Sequence, residues 1–560
     1  MFLRNARETT IFQSAVSLLC LLIYTSTRNQ SLASTSTSTT STTSQSSSSS
    51  DEKSLPEVDP DKCLVWGSGL KSDIVLPARY FMIQLVDKSG VNITKSVGEQ
   101  PFEIGIKTIN AARIRVWIRT TDRNDGSYVV QYKLYHSVDT MKIEITFNGV
   151  DIGQSPYTLK GSVYHEKCYC PNPSIDQWME SMSCDRYVYT QIEHDLKPFP
   201  TIDMRVVEKE VVQRFNIRGA HSLCHYVVKD NKVYRKTYGE HVGFKMFMDA
   251  VLLSLTRKVH LPDFEFFVNL GDWPLVKHQR PDPQPVFSWC GSDETYDVVM
   301  PTYDVTESTL ETLGRCDSSN QSMEMPTYDA PEEKLKNSCR VSLDLVSVQG
   351  AKAPKWNEKS SLAFWRGRDS RQERLDLVRM SMKYPDIIDA RLTNMFFFKK
   401  ENDLGELVKH ISFFDFFKYK YQLNIDGTVA AYRFPYLLGG DSLVLKQDSP
   451  YYEYFYNLLK PYEHYIPFKH DLSDLLEVIQ WAKDNDDQVQ KISENARQFV
   501  RDNLMAENVF CYHVVLFKNY AKRLTGPVKV QEDMELVEQP TDSDSKCDCR
   551  RRGKAPNEEL

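Results

Sequence analysis

The chain lacks an excess of basic residues: 69 Lys and Arg stand against 76 Asp and Glu in 560 residues, for a formal charge of −7. No general positive field therefore attracts nucleic acid, and nucleic acid is not expected as a partner. The chain also lacks any apolar stretch beyond Tyr24 that is long enough to cross a bilayer, so no stable membrane span is expected. Its Cys and His residues lack the paired spacing of a zinc module; the nearest approaches are His165, Cys168 and Cys170, and His221, Cys224 and His225. Disulfides or plain core are the expected use of these residues.

The first segment present is Ala15 to Tyr24, "AVSLLCLLIY", preceded by Arg4 and Arg7. Its length suits a secretory h-region, so residues 1–30 read as a signal peptide. The last four residues, Asn557-Glu558-Glu559-Leu560, resemble a retrieval signal of the endoplasmic reticulum. Together they place the protein in the endoplasmic reticulum lumen, where disulfides are the default use of spaced cysteines. Of twelve cysteines, Cys20 lies in the presumed signal, so an odd number remains and at least one thiol is free or intermolecular. Asn92 (Asn-Ile-Thr) and Asn320 (Asn-Gln-Ser) are glycosylation candidates in that compartment.

Residues 31–58 begin with a Ser/Thr tract that cannot bury enough apolar surface to offset the entropy of ordering, and read as a disordered leader. From 59 to 165 the pattern alternates with period two, as in "RIRVWIRT", "SYVVQYKLY" and "MKIEITFNG", with turn residues such as "DRNDG" between. This is the signature of an antiparallel β-sandwich. A Cys-bearing connector, 166–195, follows. From 196 onward strands alternate with helices: "HVGFKMFMDAVLLSLTRK" has helical spacing, "FEFFVNL" is a strand, and "QERLDLVRMSMKYP", "DIIDARL", "FFDFFKYKY", "SLVLKQ" and "DLSDLLEVIQWAKDN" read helix, strand, helix, strand, helix. That alternation implies an α/β doubly wound architecture, long enough for two halves, 196–355 and 356–524, with a cleft between. "MPTYD" occurs at Met300 to Asp304 and again at Met325 to Asp329, the second copy inside a polar stretch bracketed by Cys316 and Cys339. A disulfide-closed insertion at 316–339 and a duplicated coding segment both fit. Residues 525–560 read as a flexible tail.

Three segments carry candidate chemistry. In "FVNLGDWPL" an acid, Asp272, stands between a strand and a proline-stiffened turn, either as a turn cap or as a base at a cleft. "AFWRGRDSRQER" sets four arginines in nine positions, suited to bidentate phosphate binding or simply to a solvated surface. "NIDGTVAAYRFPYLLGGDSLVL" places small residues at the start of a helix, where N–H groups and the positive helix end face an anion. Arg433, set among aromatic and apolar neighbours there, needs an anionic partner if it is buried.

Taken with "YKYQLNIDGTVAAYRF" and "KPYEHYIPFKHDLSDLLE", these phrases resemble the protein O-glucosyltransferase family of capsule-associated-protein-type glycosyltransferases. "DGSYVVQY" and "MKIEITFNGVDIGQSPYTLKG" resemble the filamin-type immunoglobulin-like repeat, which points to the KDEL-motif-containing branch. The resemblance covers nearly the whole chain after the leader. The fold it implies is multidomain: a filamin-like β-sandwich followed by an α/β GT-B glycosyltransferase of two Rossmann-like halves, the first acceptor-side and the second donor-side. The activity it implies is inverting transfer of glucose, with xylose as the second candidate sugar, from a UDP-sugar to a serine of epidermal-growth-factor-like (EGF-like) repeats such as those of Notch-like or fibrillin-like proteins. No metal and no cofactor besides the UDP-glucose donor is implied, and the Asp-x-Asp patterns at Asp59, Asp484 and Asp542 fall in linkers or at a helix end. Residue by residue, the catalytic aspartate falls on Asp272 and a donor-binding arginine on Arg374. The diphosphate-holding helix start falls on Val429, Ala430, Ala431, Tyr432, Arg433 and Phe434. Arg368 stands where a relative has a donor-binding serine. The family's disulfide implies Cys511 joined to Cys184, with Cys168 and Cys170 as alternatives. A competing reading is a catalytically inactive lumenal binding or quality-control protein; the retained Asp272, Arg374 and Arg433 favour the enzyme.

Overall fold

The computed structural model describes residues 57–109, 114–217, 219, 221–310, 344–399, 401–540, 547 and 549. The presumed signal, most of the leader, Asn320, the 316–339 insertion with the second "MPTYD", and the terminal tetrapeptide lie outside the described residues.

The period-two segment forms two four-stranded antiparallel sheets. One has the order β1 (Leu64–Trp66), β2 (Arg79–Gln84), β5 (Ser127–Leu134), β4 (Val116–Asp122). In the other, β6 (Val138–Phe147) pairs with β3 (Phe102–Thr108), β7 (Val150–Asp151) and β8 (Tyr157–Val163). Alternation sends Phe81, Ile83, Tyr128, Val130, Tyr132, Ile143 and Ile145 into one core between the sheets. Asn92, in a loop of this sandwich, is exposed and open to modification.

The next sheet runs β14 (Val298–Val299), β12 (Val286–Ser288), β11 (Phe264–Asn269), β9 (Leu223–Lys229), β10 (Lys232–Tyr238), β21 (Glu535–Leu536). Only β11, β12 and β14 are mutually parallel; β9, β10 and β21 are antiparallel to their neighbours. The sheet is therefore mixed, with half its strands antiparallel to their neighbours, where the expected doubly wound architecture is mostly parallel. The reason is local: Asp230 and Asn231 both take positive φ, 49° and 59°, in the two-residue turn that suits the twist of a hairpin. The helix Lys245–Lys258 precedes β11, and Phe264 and Phe266 stack on Phe517 of the helix Ala506–Ala521. That helix was grouped with the second half; it packs on the first.

The other sheet is entirely parallel, in the order β16 (Ile388–Asn394), β15 (Ser360–Arg368), β17 (Tyr419–Asn424), β18 (Leu443–Gln447), β20 (Ile466–Phe468). Its apolar runs are buried on both faces, as a parallel sheet requires. In "FFDFFKYKY" only Phe413–Phe416 is helical; from Tyr419 the chain is already β17. The order reverses between β15 and β17, which makes their carboxyl ends the topological switch point where such sheets take ligands. The two large sheets are tied by an antiparallel pair, β13 (Gly291–Ser292) with β19 (Tyr451–Tyr452). Gly291 is required there: a Cβ would lie 2.4 Å from the Tyr452 ring.

The tail is not free as expected. β21 pairs with β10, Asp533 reaches Lys236 at 2.6 Å, and Gln539 accepts from Arg257 at 3.0 Å. Cys547 and Cys549 are bonded to Cys168 and Cys170, each pair 379 residues apart in sequence. The segment is held largely by charge pairs and cystines to residues some 300 or more positions away, which no local pattern announces. Among the described residues Cys63, Cys224 and Cys290 are free thiols. No helix among them is long and apolar enough to cross a membrane.

Candidate active site

Asp272 follows β11 in a turn that the neighbouring residues close from both sides. Asn269 accepts the Gly271 N–H at 2.9 Å and donates its amide to the Trp273 carbonyl at 2.6 Å. Buried Asp297 accepts the N–H groups of Leu275 and Val276 at 2.9 and 2.7 Å and the Ser288 hydroxyl at 2.6 Å. The Asp272 carboxyl is thus carried on a main chain fixed before and after it, and is not used as a cap of its own turn. Burial raises its pKa, and Arg368 opposes that rise. A half-buried carboxyl held above its ordinary value has the character of a base near a low-dielectric cleft.

Across from it, the ends of β15 and β17 bring Arg368, Arg371, Arg374 and Arg433 together. Arg374 is 5% exposed and gives Nε to Asp426 O at 2.7 Å, Nη1 to Arg368 O at 3.1 Å and Nη2 to Ile425 O at 3.0 Å. It is the strut of the loop after β17, and burial, then Arg433, lowers its pKa to about 9. Arg433 sits at the N-cap of the helix Phe434–Gly439 rather than within it, with Pro435 in the first turn, where its missing N–H costs nothing. Its Nη1 donates to Arg366 O at 2.6 Å, and burial alone lowers its pKa to about 10. No carboxylate pairs with Arg433 among the described residues, so this half-buried cation is short of an anion.

Val429, Ala430 and Ala431 are buried in the turn that leads to that helix, with Val429 and Ala430 packed on Cys290 of the first half. Tyr432 lies against Tyr303, ring centroids 5.5 Å apart, and both phenols are raised well above their ordinary value by burial. For both, Asp272 is among the charges that add to the rise. Thus the structure brings Asp272, Arg368, Tyr432 and the arginine cluster to one place, with Phe434 buried behind them. Cys184 and Cys511, at S–S 2.00 Å, form the disulfide the resemblance implied, while Cys168 and Cys170 pair elsewhere.

Sequence reasoning passed over several members. Arg371 donates Nε to Gly427 O at 2.7 Å and lies 5.1 Å over the Tyr451 ring; it stood in the arginine phrase but was not singled out. Tyr303 belongs to the first "MPTYD", noticed only as a repeat. Asn269 and Asp297 carry no motif, since their meeting depends on which strands pair. Ser370 Oγ, buried beside this cluster, has no hydrogen-bond partner among the described residues. Three guanidiniums, those of Arg368, Arg371 and Arg433, with a spare hydroxyl and one carboxylate beside them, can hold a polyanion and accept a proton near it.

The comparisons agree in kind. The model of glycosyl transferase family 90 matches residues 179–555, and that of the filamin/ABP280 repeat matches 57–158. Protein O-glucosyltransferase 2 of Danio rerio is 53% identical over 493 residues, 88% of this chain and 93% of that protein. Protein O-glucosyltransferase 3 of Homo sapiens is 46% identical over 513 residues, 90% of this chain and 95% of that protein. Protein O-glucosyltransferase 1 of Homo sapiens is 31% identical over 377 residues, 65% of this chain and 88% of that protein.

Proposed function

The chain belongs to glycosyl transferase family 90, among the protein O-glucosyltransferases that match it from filamin repeat to tail, and from that premise we propose an inverting transfer of glucose from UDP-glucose to a serine of an EGF-like repeat in the endoplasmic reticulum lumen. The serine oxygen bonds to the sugar C1 while the bond from C1 to the diphosphate oxygen breaks, UDP leaving with the electron pair. Asp272 takes the serine proton on the face opposite the leaving group, the requirement inversion sets. Charge that grows on the diphosphate falls to Arg433, Arg371, Arg368 and the N–H groups of the turn from Val429 to Phe434, preorganised so that little reorganisation is needed. Arg374 holds that turn's neighbour, the loop Ile425 to Gly427, in place.

The single observation that carries this reading is Arg433, half-buried at a helix start with no carboxylate partner among the described residues, in the arginine cluster whose Arg368 also acts on the Asp272 carboxyl. Because fixed guanidiniums supply the positive charge, we infer a transfer that needs no divalent metal. The β13 to β19 pair that joins the two large sheets supports the GT-B arrangement, and the three disulfides among the described residues support an oxidising lumen. The test is the mass of a folded EGF-like repeat after incubation with UDP-glucose in chelator. A gain of one hexose with the parent, and none with Asp272→Asn, is expected; no gain with any UDP-sugar removes the reading, and a gain that appears only on adding manganese removes its metal-free part.

A further inference from the structure

Arg123 follows β4 in the filamin-type repeat and is 4% exposed, yet Nε and Nη2 of its guanidinium are buried with no hydrogen-bond partner among the described residues. Those two nitrogens form one edge of the guanidinium, a fork whose spacing matches two oxygens of an oxyanion. Two more arginines share the place, both from the helix Asp486–Asn503 of the catalytic region. Arg497 and Arg501 stand four residues apart, so one helix face carries both, where like charges repel. Arg497 is anchored through Nη2, which donates to Arg123 O at 2.8 Å and Gln349 O at 2.5 Å, while its Nε is buried and unpartnered among the described residues. Arg501 Nε is in the same condition, and its Nη2 lies 2.7 Å from Asp125 Oδ2 without the geometry of a hydrogen bond.

The charges of this seam do not close. Among the described residues Asp125 is the one carboxylate in contact with a guanidinium of the three, and its other oxygen accepts the N–H and hydroxyl of Ser127 at 3.1 and 2.7 Å. Asp122, Asp441 and Asp502 act on the cluster across space only. Each is engaged elsewhere: Asp122 by the Asn124 N–H at 2.8 Å, Asp441 by Lys359 at 2.9 Å, Asp502 by Gln498 at 2.9 and 3.0 Å. Lys359 is a further cation that feels Arg497. Burial, then the Arg501 charge, lowers the Arg123 guanidinium to about 9, and the same two causes lower Arg497. Three guanidiniums against one contacted carboxylate leave two positive charges short of partners, which is costly in a buried seam. Asn124 is exposed, and the side chains of Asp125 and Arg501 are 31 and 15% exposed, so the outer side of the cluster meets solvent.

We propose that Arg123, Arg497 and Arg501 bind a divalent oxyanion, free inorganic phosphate or sulfate, in the seam between the filamin-type repeat and the catalytic region. The ion accepts from the Nε and Nη2 edge of Arg123 and from the Nε groups of Arg497 and Arg501, and its two charges match the two that Asp125 leaves unbalanced. Bound there it joins the repeat, which supplies Arg123, to the catalytic region, which supplies the other two. None of the three belongs to the arginine cluster beside Asp272, so the site is separate from the donor cleft.

The test is titration calorimetry of inorganic phosphate and of sulfate into the full chain saturated with UDP, which occupies the donor cleft, at an ionic strength held constant with sodium chloride. One saturable site with a Kd on the order of 1 mM or tighter is expected for the parent. Arg123→Gln and Arg123→Lys, the second keeping the charge but not the fork, should each weaken it about tenfold or more with UDP affinity unchanged. Selenate, a divalent tetrahedral oxyanion, soaked into crystals of the UDP-bound parent gives a readout that needs no variant: its anomalous peak is expected within hydrogen-bond distance of Arg123 Nε. No saturable site in the UDP-bound parent, a selenate peak only elsewhere, or binding that both Arg123 variants retain would each overturn the site. Phenyl phosphate bound as tightly as inorganic phosphate would overturn the free ion as its ligand and assign the seam to a phosphate ester.

Discussion

Asn269 reaches past Asp272 to donate its amide to the Trp273 carbonyl at 2.6 Å, while Asp297 receives the Val276 N–H at 2.7 Å. The turn that carries the base is thereby closed from the strand side and from the far side. Catalysis by a positioned base tolerates little displacement, since proton transfer needs hydrogen-bond reach in the transition state. Asn269→Ala should lower kcat by about 10- to 100-fold with UDP affinity unchanged. Steady-state rates with UDP titration check this; loss of both together would mean collapse of the half and not misplacement of the base.

The acid limb of the pH profile follows from Asp272 and Arg368. Burial raises the Asp272 carboxyl and Arg368 pulls it back. The base must be ionised to work, so activity falls on acidification at a pH above the ordinary aspartate value. Arg368→Gln removes the opposing charge, so the limb should move to higher pH. A plot of kcat/KM against pH for the two proteins reads the shift; a limb that stays, or moves down, removes Asp272 as the titrating group.

Arg433 and Arg374 should separate function from support. Arg433→Ala deletes a cation that no carboxylate among the described residues balances, so UDP binding should weaken by about 10- to 100-fold while Tm stays or rises slightly. Arg374→Ala strips donors from the carbonyls of Asp426, Arg368 and Ile425 and should cost about 2–4 kcal/mol of stability. Thermal unfolding and calorimetry on both variants distinguish them; equal loss of Tm in the two would refute the division.

Much of this layout was legible because its signals are local. Period-two alternation gave the sandwich strands, the short runs "FEFFVNL", "DIIDARL" and "SLVLKQ" gave β11, β16 and β18, and the phrases around Asp272, Arg374 and Arg433 each lie within a few residues. What was hidden is non-local. The mixed first sheet turns on the Asp230 and Asn231 hairpin and on β21, which arrives from some 300 residues away to pair Glu535 with Arg235. The tail looked flexible because hydrophobicity was the only adhesive sought, and the Cys168 to Cys547 and Cys170 to Cys549 bonds carry no periodicity. Asp297 and Tyr303 join the site only because β14 and the helix Tyr303–Leu310 follow one another at the edge nearest β19.

Glu453, just after β19, is fully buried and accepts weakly from Thr302 and Tyr456, both at 3.3 Å. Burial pushes its carboxyl up to about 8; Asp304 adds to the rise and Lys446 opposes it. Its unfolded value is near the ordinary 4.5. An acid whose folded pKa lies above its unfolded one favours folding fully below the unfolded value, and that contribution is lost as pH rises from there toward 8. Between those limits the native state holds a proton that the unfolded chain has released, at a cost on the order of 3–4 kcal/mol by pH 7.5. Glu453→Gln keeps the shape and a hydrogen-bonding amide without the proton linkage. The variant should therefore gain in Tm over the parent at pH 7.5 and show a much smaller gain, or a loss, at pH 5. Asp304, also raised by burial, to about 6, is present in both proteins and leaves that difference unchanged. Unfolding scans of the two proteins across pH 5 to 8 decide it; parallel curves with a constant gap would mean that Glu453 is ionised in the folded protein and held by partners outside its present hydrogen bonds.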